Sequence, residues 1–220
     1  MIKKVLIVFA VFLFSCNTTD DNSNDDSDVE TDITKKILSL GDSYTIGQSV
    51  CETCRFPEQL KIALDSNTDY TFDLSIIAQT GWTTTNLLSA INNESPLNDY
   101  DLVTLLIGVN NQYQGKPFSL YEEEFPNLID KAIELANNDK DNVIIVSIPD
   151  YAYTVFGQNF GNPETTSQEI DTYNNFAENY CNANDITFVN ITDITREGLD
   201  NTALVASDGL HPSELTYTRF

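Results

Sequence analysis

The chain contains a single histidine, His211, which limits the chemistry it could perform near neutral pH. A hydroxyl is a weak nucleophile until a neighbouring base takes its proton, so a serine–histidine mechanism must use this ring or none. Three residues upstream, in "DGLHPS", stands Asp208. At that spacing the carboxylate and the imidazole can face each other across one turn. The acid would then fix the ring's tautomer and stabilise its charged form. The same residues also suit a helix start, with Asp208 as cap and Pro212 in the first turn. The candidate nucleophile is Ser43, in "ILSLGDSYTIGQSV", where an apolar run stops at Gly41 and leads into Asp42 and Ser43. A serine in that place is equally a plain helix cap. The sequence has no GxSxG elbow, so an α/β-hydrolase nucleophile turn fits poorly.

Two further apolar runs end in glycine followed by polar residues, "AQTGWTT" and "IGVNNQ". Gly81 can bring a bare backbone N–H close to a ligand, and Asn110 can add a side-chain amide. With the Ser43 N–H they would supply donors for an oxyanion, usually the largest single contribution to acyl-transfer catalysis. Each is also an ordinary turn residue when taken singly. Their placement at successive strand ends, with a histidine near the C-terminus, is what makes them a set.

The elements that must position these residues alternate. Apolar runs at 36–40, within "YTFDLSIIAQTG", within "YDLVTLLIGVNN", at "NVIIVSIPD" and at "ITFVNIT" read as five strands. Between them, "RFPEQLKIALD", "TTTNLLSAINN", "SLYEEEFPNLIDKAIELANN" and "SQEIDTYNNFAENYCNAN" carry helical spacing. The third of these helices is expected to be acidic in its first turn, as the helix dipole favours, with an irregularity at Pro126. Residues 151–166 read as a loop. Tyr113, Phe118 and that loop either shape a pocket or pack as core and lid. Strand–helix alternation predicts an α/β fold, a parallel sheet covered by helices on both faces, with ligands outside the carboxyl ends of the strands. Neither a P-loop nor a GxGxxG dinucleotide fingerprint is present.

The chain carries 34 acidic and 11 basic residues, a surface that disfavours nucleic acid and anionic headgroups as partners. Residues 1–15 read as a signal peptide: Lys3 and Lys4 precede an apolar stretch, Val5 to Phe14, too short to span a bilayer. "LFSC" then looks like a bacterial lipobox, which would make Cys16 the lipidated N-terminus. Residues 16–35 are polar and acidic and are expected to form a solvated tether, leaving 36–220 as the folded domain. Export implies an oxidising compartment. "CETC" reads as a local disulfide or a loop buttress, with a redox or zinc motif as the alternative. Zinc needs about four ligands, and only Cys181 and His211 could join Cys51 and Cys54.

The order Gly-Asp-Ser, Gly, Gly-x-Asn and Asp-x-x-His resembles that of the SGNH hydrolases, also called GDSL esterases and lipases. "GDSYTIG", "TGWTT", "LLIGVNNQY" and "DGLHPS" carry the likeness over residues 36–220. The resemblance implies a three-layer α/β/α fold whose five-stranded parallel sheet runs in the flavodoxin-like order 2-1-3-4-5, without metal or cofactor. It implies Ser43 as nucleophile, His211 as base and then acid, Asp208 orienting His211, and an oxyanion hole of Ser43, Gly81 and Asn110. The family often has aspartate where Asn111 stands, so the contact that aspartate would make is open. The sequence ends nine residues after His211, where the resemblance leads one to expect a longer last helix. The implied function is an envelope-anchored serine esterase acting on an acetylated glycan, a lipid ester or a thioester, monomeric and lipid-anchored at the outer membrane. A non-catalytic ligand-binding lipoprotein on the same fold is the alternative.

Overall fold

The computed structural model describes residues 33–220. The stretch read as a signal peptide, the lipobox-like segment ending at Cys16 and most of the expected acidic tether lie outside the described residues.

Five parallel strands form one sheet in the order β2-β1-β3-β4-β5: β1 (Ile33–Gly41), β2 (Tyr70–Ala78), β3 (Leu102–Leu106), β4 (Val143–Val146) and β5 (Thr187–Val189). β1 begins inside the stretch expected to be tether, because Ile33, Thr34 and Lys35 pair in register with Tyr70, Thr71 and Phe72. The longer helices are α2 (Phe56–Asn67), α3 (Thr84–Glu94), α5 (Phe118–Leu135) and α7 (Pro163–Asn184). Four-to-five-residue helices intervene: α1 (Ser43–Ile46), α4 (Val109–Tyr113), α6 (Val155–Gln158), α8 (Thr192–Thr195) and α9 (Glu214–Tyr217). α3, α5 and α7 pack side by side, while α2 meets α9 near Thr104, Ile144 and Val146 of the sheet. Among the described residues no helix is long and apolar enough to cross a membrane.

The central strands are buried on both faces, as in other helix-covered parallel sheets. Leu38, Leu40, Val103, Leu105, Val143 and Ile145 are fully enclosed. α5 turns a stripe of Tyr121, Phe125, Leu128, Ile129, Ala132 and Leu135 into that core, with helical spacing.

Two sequence expectations change here. α5 starts at Phe118, so Glu122, Glu123 and Glu124 fall beyond its first turn and cannot act on the N-terminal dipole. Glu124 instead accepts hydrogen bonds from Thr84 and Thr85 of α3, tying the two helices together. Residues 151–166 are also less loop-like than expected. A 3₁₀ turn at Tyr151–Tyr153 and α6 lie within them, and α7 starts at Pro163, capped by Asn162.

Candidate active site

The sheet order reverses between β1 and β3, and the site lies outside the carboxyl ends of these two strands, where open α/β sheets bind ligands. β1 runs into α1 without a loop. Asp42 caps that helix, its Oδ1 accepting the Tyr44 N–H at 3.0 Å, and Ser43 is the first helical residue. Gly41 is required by close packing. A Cβ there would overlap Thr45 Oγ1 and lie 2.5 Å from the Leu106 carbonyl oxygen. Gly81 is required for another reason: its φ of 81° is left-handed, yet the space around it is open. Gln114 Nε2 donates to the Gly81 carbonyl at 2.8 Å, which fixes the turn after β2. Among the described residues, neither the Ser43 nor the Gly81 N–H has a hydrogen-bond partner.

Asn110 stands on α4 directly after β3. One Nδ2 hydrogen goes to Asp42 Oδ2 at 3.3 Å. The amide's second N–H remains for a ligand. Its neighbour Asn111 is buried and acts structurally: Oδ1 accepts the Thr84 N–H at 3.0 Å and Nδ2 donates to Thr84 Oγ1 at 2.7 Å. That is the contact left open at this position. It locks α4 to the start of α3.

Asp208 and His211 lie in a compact turn closed by backbone bonds. The Ala206 N–H donates to the His211 carbonyl at 2.7 Å, and Val205 bridges Pro212 in antiparallel fashion. The imidazole Nδ1 is 2.6 Å from Asp208 Oδ2. Asp208 Oδ1 accepts the N–H groups of Leu210 and His211 at 2.9 and 3.0 Å. The helix-cap alternative for Asp208 does not hold, because α9 begins at Glu214 with Ser213 as its cap. Partial burial pushes the Asp208 carboxyl up, but donors from Ser49, His211 and the backbone prevail and hold it at about 2. Asp42 shows the opposite balance. Full burial outweighs the Tyr44 and Asn110 donors and lifts its carboxyl to about 7.

Ser43, Gly81, Asn110 and His211 therefore converge on one cleft of about 260 Å³, walled also by Tyr44, Tyr113, Tyr151, Phe156 and Leu210. Asp208 stands behind the imidazole. The His211 ring rests against Tyr44, with ring centroids 5.0 Å apart. Tyr113 and the segment from Tyr151 line the cleft. Phe118 does not: it packs on Tyr121, Tyr173 and Phe176. Sequence reasoning missed Ser49, whose hydroxyl donates to Asp208 Oδ2 at 2.6 Å across 159 residues of chain. Ser49 has a left-handed φ of 69°, which no local sequence signal announces. Cys51 and Cys54 form a local disulfide just beyond it, and Cys181 is a free thiol buried in α7.

Comparison with known proteins bears on the family and the fold. Residues 39–219 match the GDSL-like lipase/acylhydrolase family model. Among curated protein sequences none matches the chain significantly. Similar solved structures include a lipase/acylhydrolase from Enterococcus faecalis, with TM-score 0.66 and 20% identity over 83% of this chain and 89% of that one. A G-D-S-L family lipolytic protein from Veillonella parvula gives TM-score 0.63 and 19% identity over 83% and 92%. An acetylxylan esterase from Geobacillus stearothermophilus gives 0.62 and 17% over 86% and 92%. At these identities the structures speak for the fold. The family match, covering the sheet from within β1 through α9, decides membership: the chain belongs to the GDSL-like lipase/acylhydrolase family, the SGNH hydrolases, and is a carboxylic ester hydrolase.

Proposed function

We propose that Ser43 is the acylated nucleophile of a serine esterase. The observation that carries this is the convergence of Ser43, Gly81, Asn110 and His211 on one cleft, with Asp208 2.6 Å behind the imidazole. His211 takes the Ser43 proton as the hydroxyl attacks the ester carbonyl, while Asp208 holds Nδ1 and stabilises the imidazolium. The oxyanion is received by the N–H groups of Ser43 and Gly81 and the Asn110 amide. Collapse breaks the carbon–oxygen bond, and His211 returns its proton to the departing alcohol. Water, activated by the same ring, then attacks the acyl-enzyme, releases the carboxylate and restores Ser43.

The substrate is an ester of a glycan, a lipid or a thiol, met at the bacterial envelope. The lipobox-like "LFSC" ending at Cys16 supports a lipid anchor in the outer membrane, and the acidic stretch after it supports a spacer. A fluorophosphonate probe tests the nucleophile. It should label the wild-type protein and leave Ser43→Ala unlabelled. Equal labelling of the variant would remove Ser43 from this role.

A further inference from the structure

One wall of the cleft carries more exposed aromatic surface than packing requires. Tyr113, at the end of α4, stacks on Phe160 with centroids 4.8 Å apart and planes 28° apart. Phe160 in turn stacks on Phe156 at 5.4 Å and 16°. Tyr113 and Phe160 are each 41% exposed, and Val155 beside them is 58% exposed. A contiguous apolar patch at the lip of a catalytic cleft marks a contact surface. Its position relative to the chemistry is defined. The Phe156 N–H donates to the Gly209 carbonyl at 3.0 Å, two residues before His211, so the wall is built onto the segment that carries the base. In the mechanism proposed above, His211 protonates the departing alcohol, which places the leaving group on this side.

Resting on that reading, we propose that Tyr113, Phe156 and Phe160 form a stacking platform for a neutral carbohydrate ring, the alcohol half of an acylated glycan. Three observations select this occupant. Phe160 lies near-parallel to Tyr113 and to Phe156, which tilt 42° from each other, and Phe160 and Tyr113 leave ring surface exposed. The C–H face of a pyranose is attracted to the negative face of an aromatic ring. The platform is one-sided and open to water, which suits a ring whose hydroxyl edges stay solvated. An acyl chain instead gains from enclosure. Lastly, among the described residues no lysine or arginine lines the cleft, and the chain is strongly acidic, so a phosphorylated leaving group finds no counter-charge there.

The test compares kcat/KM on acetylated xylo-oligosaccharide, ethyl acetate and ethyl octanoate for the wild type, Phe160→Ala, Phe160→Leu and Tyr113→Ala. Leucine keeps apolar bulk and removes the flat face. The ratio of the glycan ester to ethyl acetate should fall roughly threefold to tenfold for each ring removed, through KM. The ratio of octanoate to acetate should hold. If the octanoate ratio falls instead, the wall serves the acyl chain and the proposal is overturned. Unmoved ratios, or a Phe160→Leu variant that keeps the glycan preference, overturn it as well. A wild type that accepts the fluorophosphonate and cleaves simple esters, but not the glycan, defeats the platform alone. One that neither labels nor cleaves any ester defeats the esterase reading beneath it.

Discussion

Asp208 and Asp42 are pushed in opposite directions, and their effects on stability have opposite signs. Asp208 is held at about 2 in the folded protein, below its ordinary value, so the stability it contributes is present above about pH 4. That contribution is lost as pH falls through about 2. Asp42 is raised to about 7, so its stabilising effect is present in acid and is lost as pH rises toward 7. A shift of that size is worth on the order of 4 kcal/mol at about 1.4 kcal/mol per unit. Urea unfolding between pH 4 and 7 should therefore show a downward slope in the wild type that Asp42→Asn reduces; identical slopes would count against a protonated Asp42. The same variant turns an NH₂ group toward Asn110 in place of an acceptor, and kcat should fall about tenfold or more. His211 must be neutral to act as base, so kcat/KM should rise with pH and then level. His211→Ala should remove that limb and cost several orders of magnitude, and Asp208→Asn should cost less. An His211→Ala enzyme with near-normal rate and an unchanged profile would end the serine–histidine scheme, since no second histidine exists.

The ends of the first three strands each deliver one group to the site, and the glycines there are not equivalent. Gly41→Ala forces a methyl group into Thr45 and the Leu106 carbonyl. It should destabilise the fold by about 3 kcal/mol or more and displace α1, together with Ser43. Gly81→Ala meets open space and bears only the left-handed backbone, about 1–2 kcal/mol. Its N–H stays, so most activity should survive in Gly81→Ala and not in Gly41→Ala; thermal melts beside initial rates make the comparison. At this scale most of the architecture was legible, because strand and helix periods repeat and Ser43, Gly81 and Asn110 each follow an apolar run. What stayed hidden was set by tertiary contact. The start of α5 moved to Phe118, taking the glutamates out of the first turn and into bonds with α3. Short helices lay inside a polar stretch with no clear periodicity. Ser49 reaches Asp208 from the far end of the chain. The sequence marks Gly41 only as the end of an apolar run, whereas in the fold its backbone is packed too closely for any side chain.

For the molecule as a whole, the acidic balance favours repulsion from polyanions and a hydrated surface. If Cys16 carries lipid, Cys16→Ala should move the protein from the membrane fraction to the soluble one, or leave it as an uncleaved precursor; unchanged fractionation would rule the anchor out. The order of the chain has a consequence in time. In the proposed mechanism the nucleophile follows the first strand, whereas the base and its carboxylate sit in a turn shortly before α9. During synthesis Ser43 emerges early and waits, chemically inert, while the remaining strands are made. A nascent or prematurely terminated chain can complete much of its sheet and still be harmless to every ester around it. In the proposed mechanism, activity switches on only when the segment carrying Asp208 and His211 folds back beside the first strand, so Ser43 cannot attack an ester before that segment has been made.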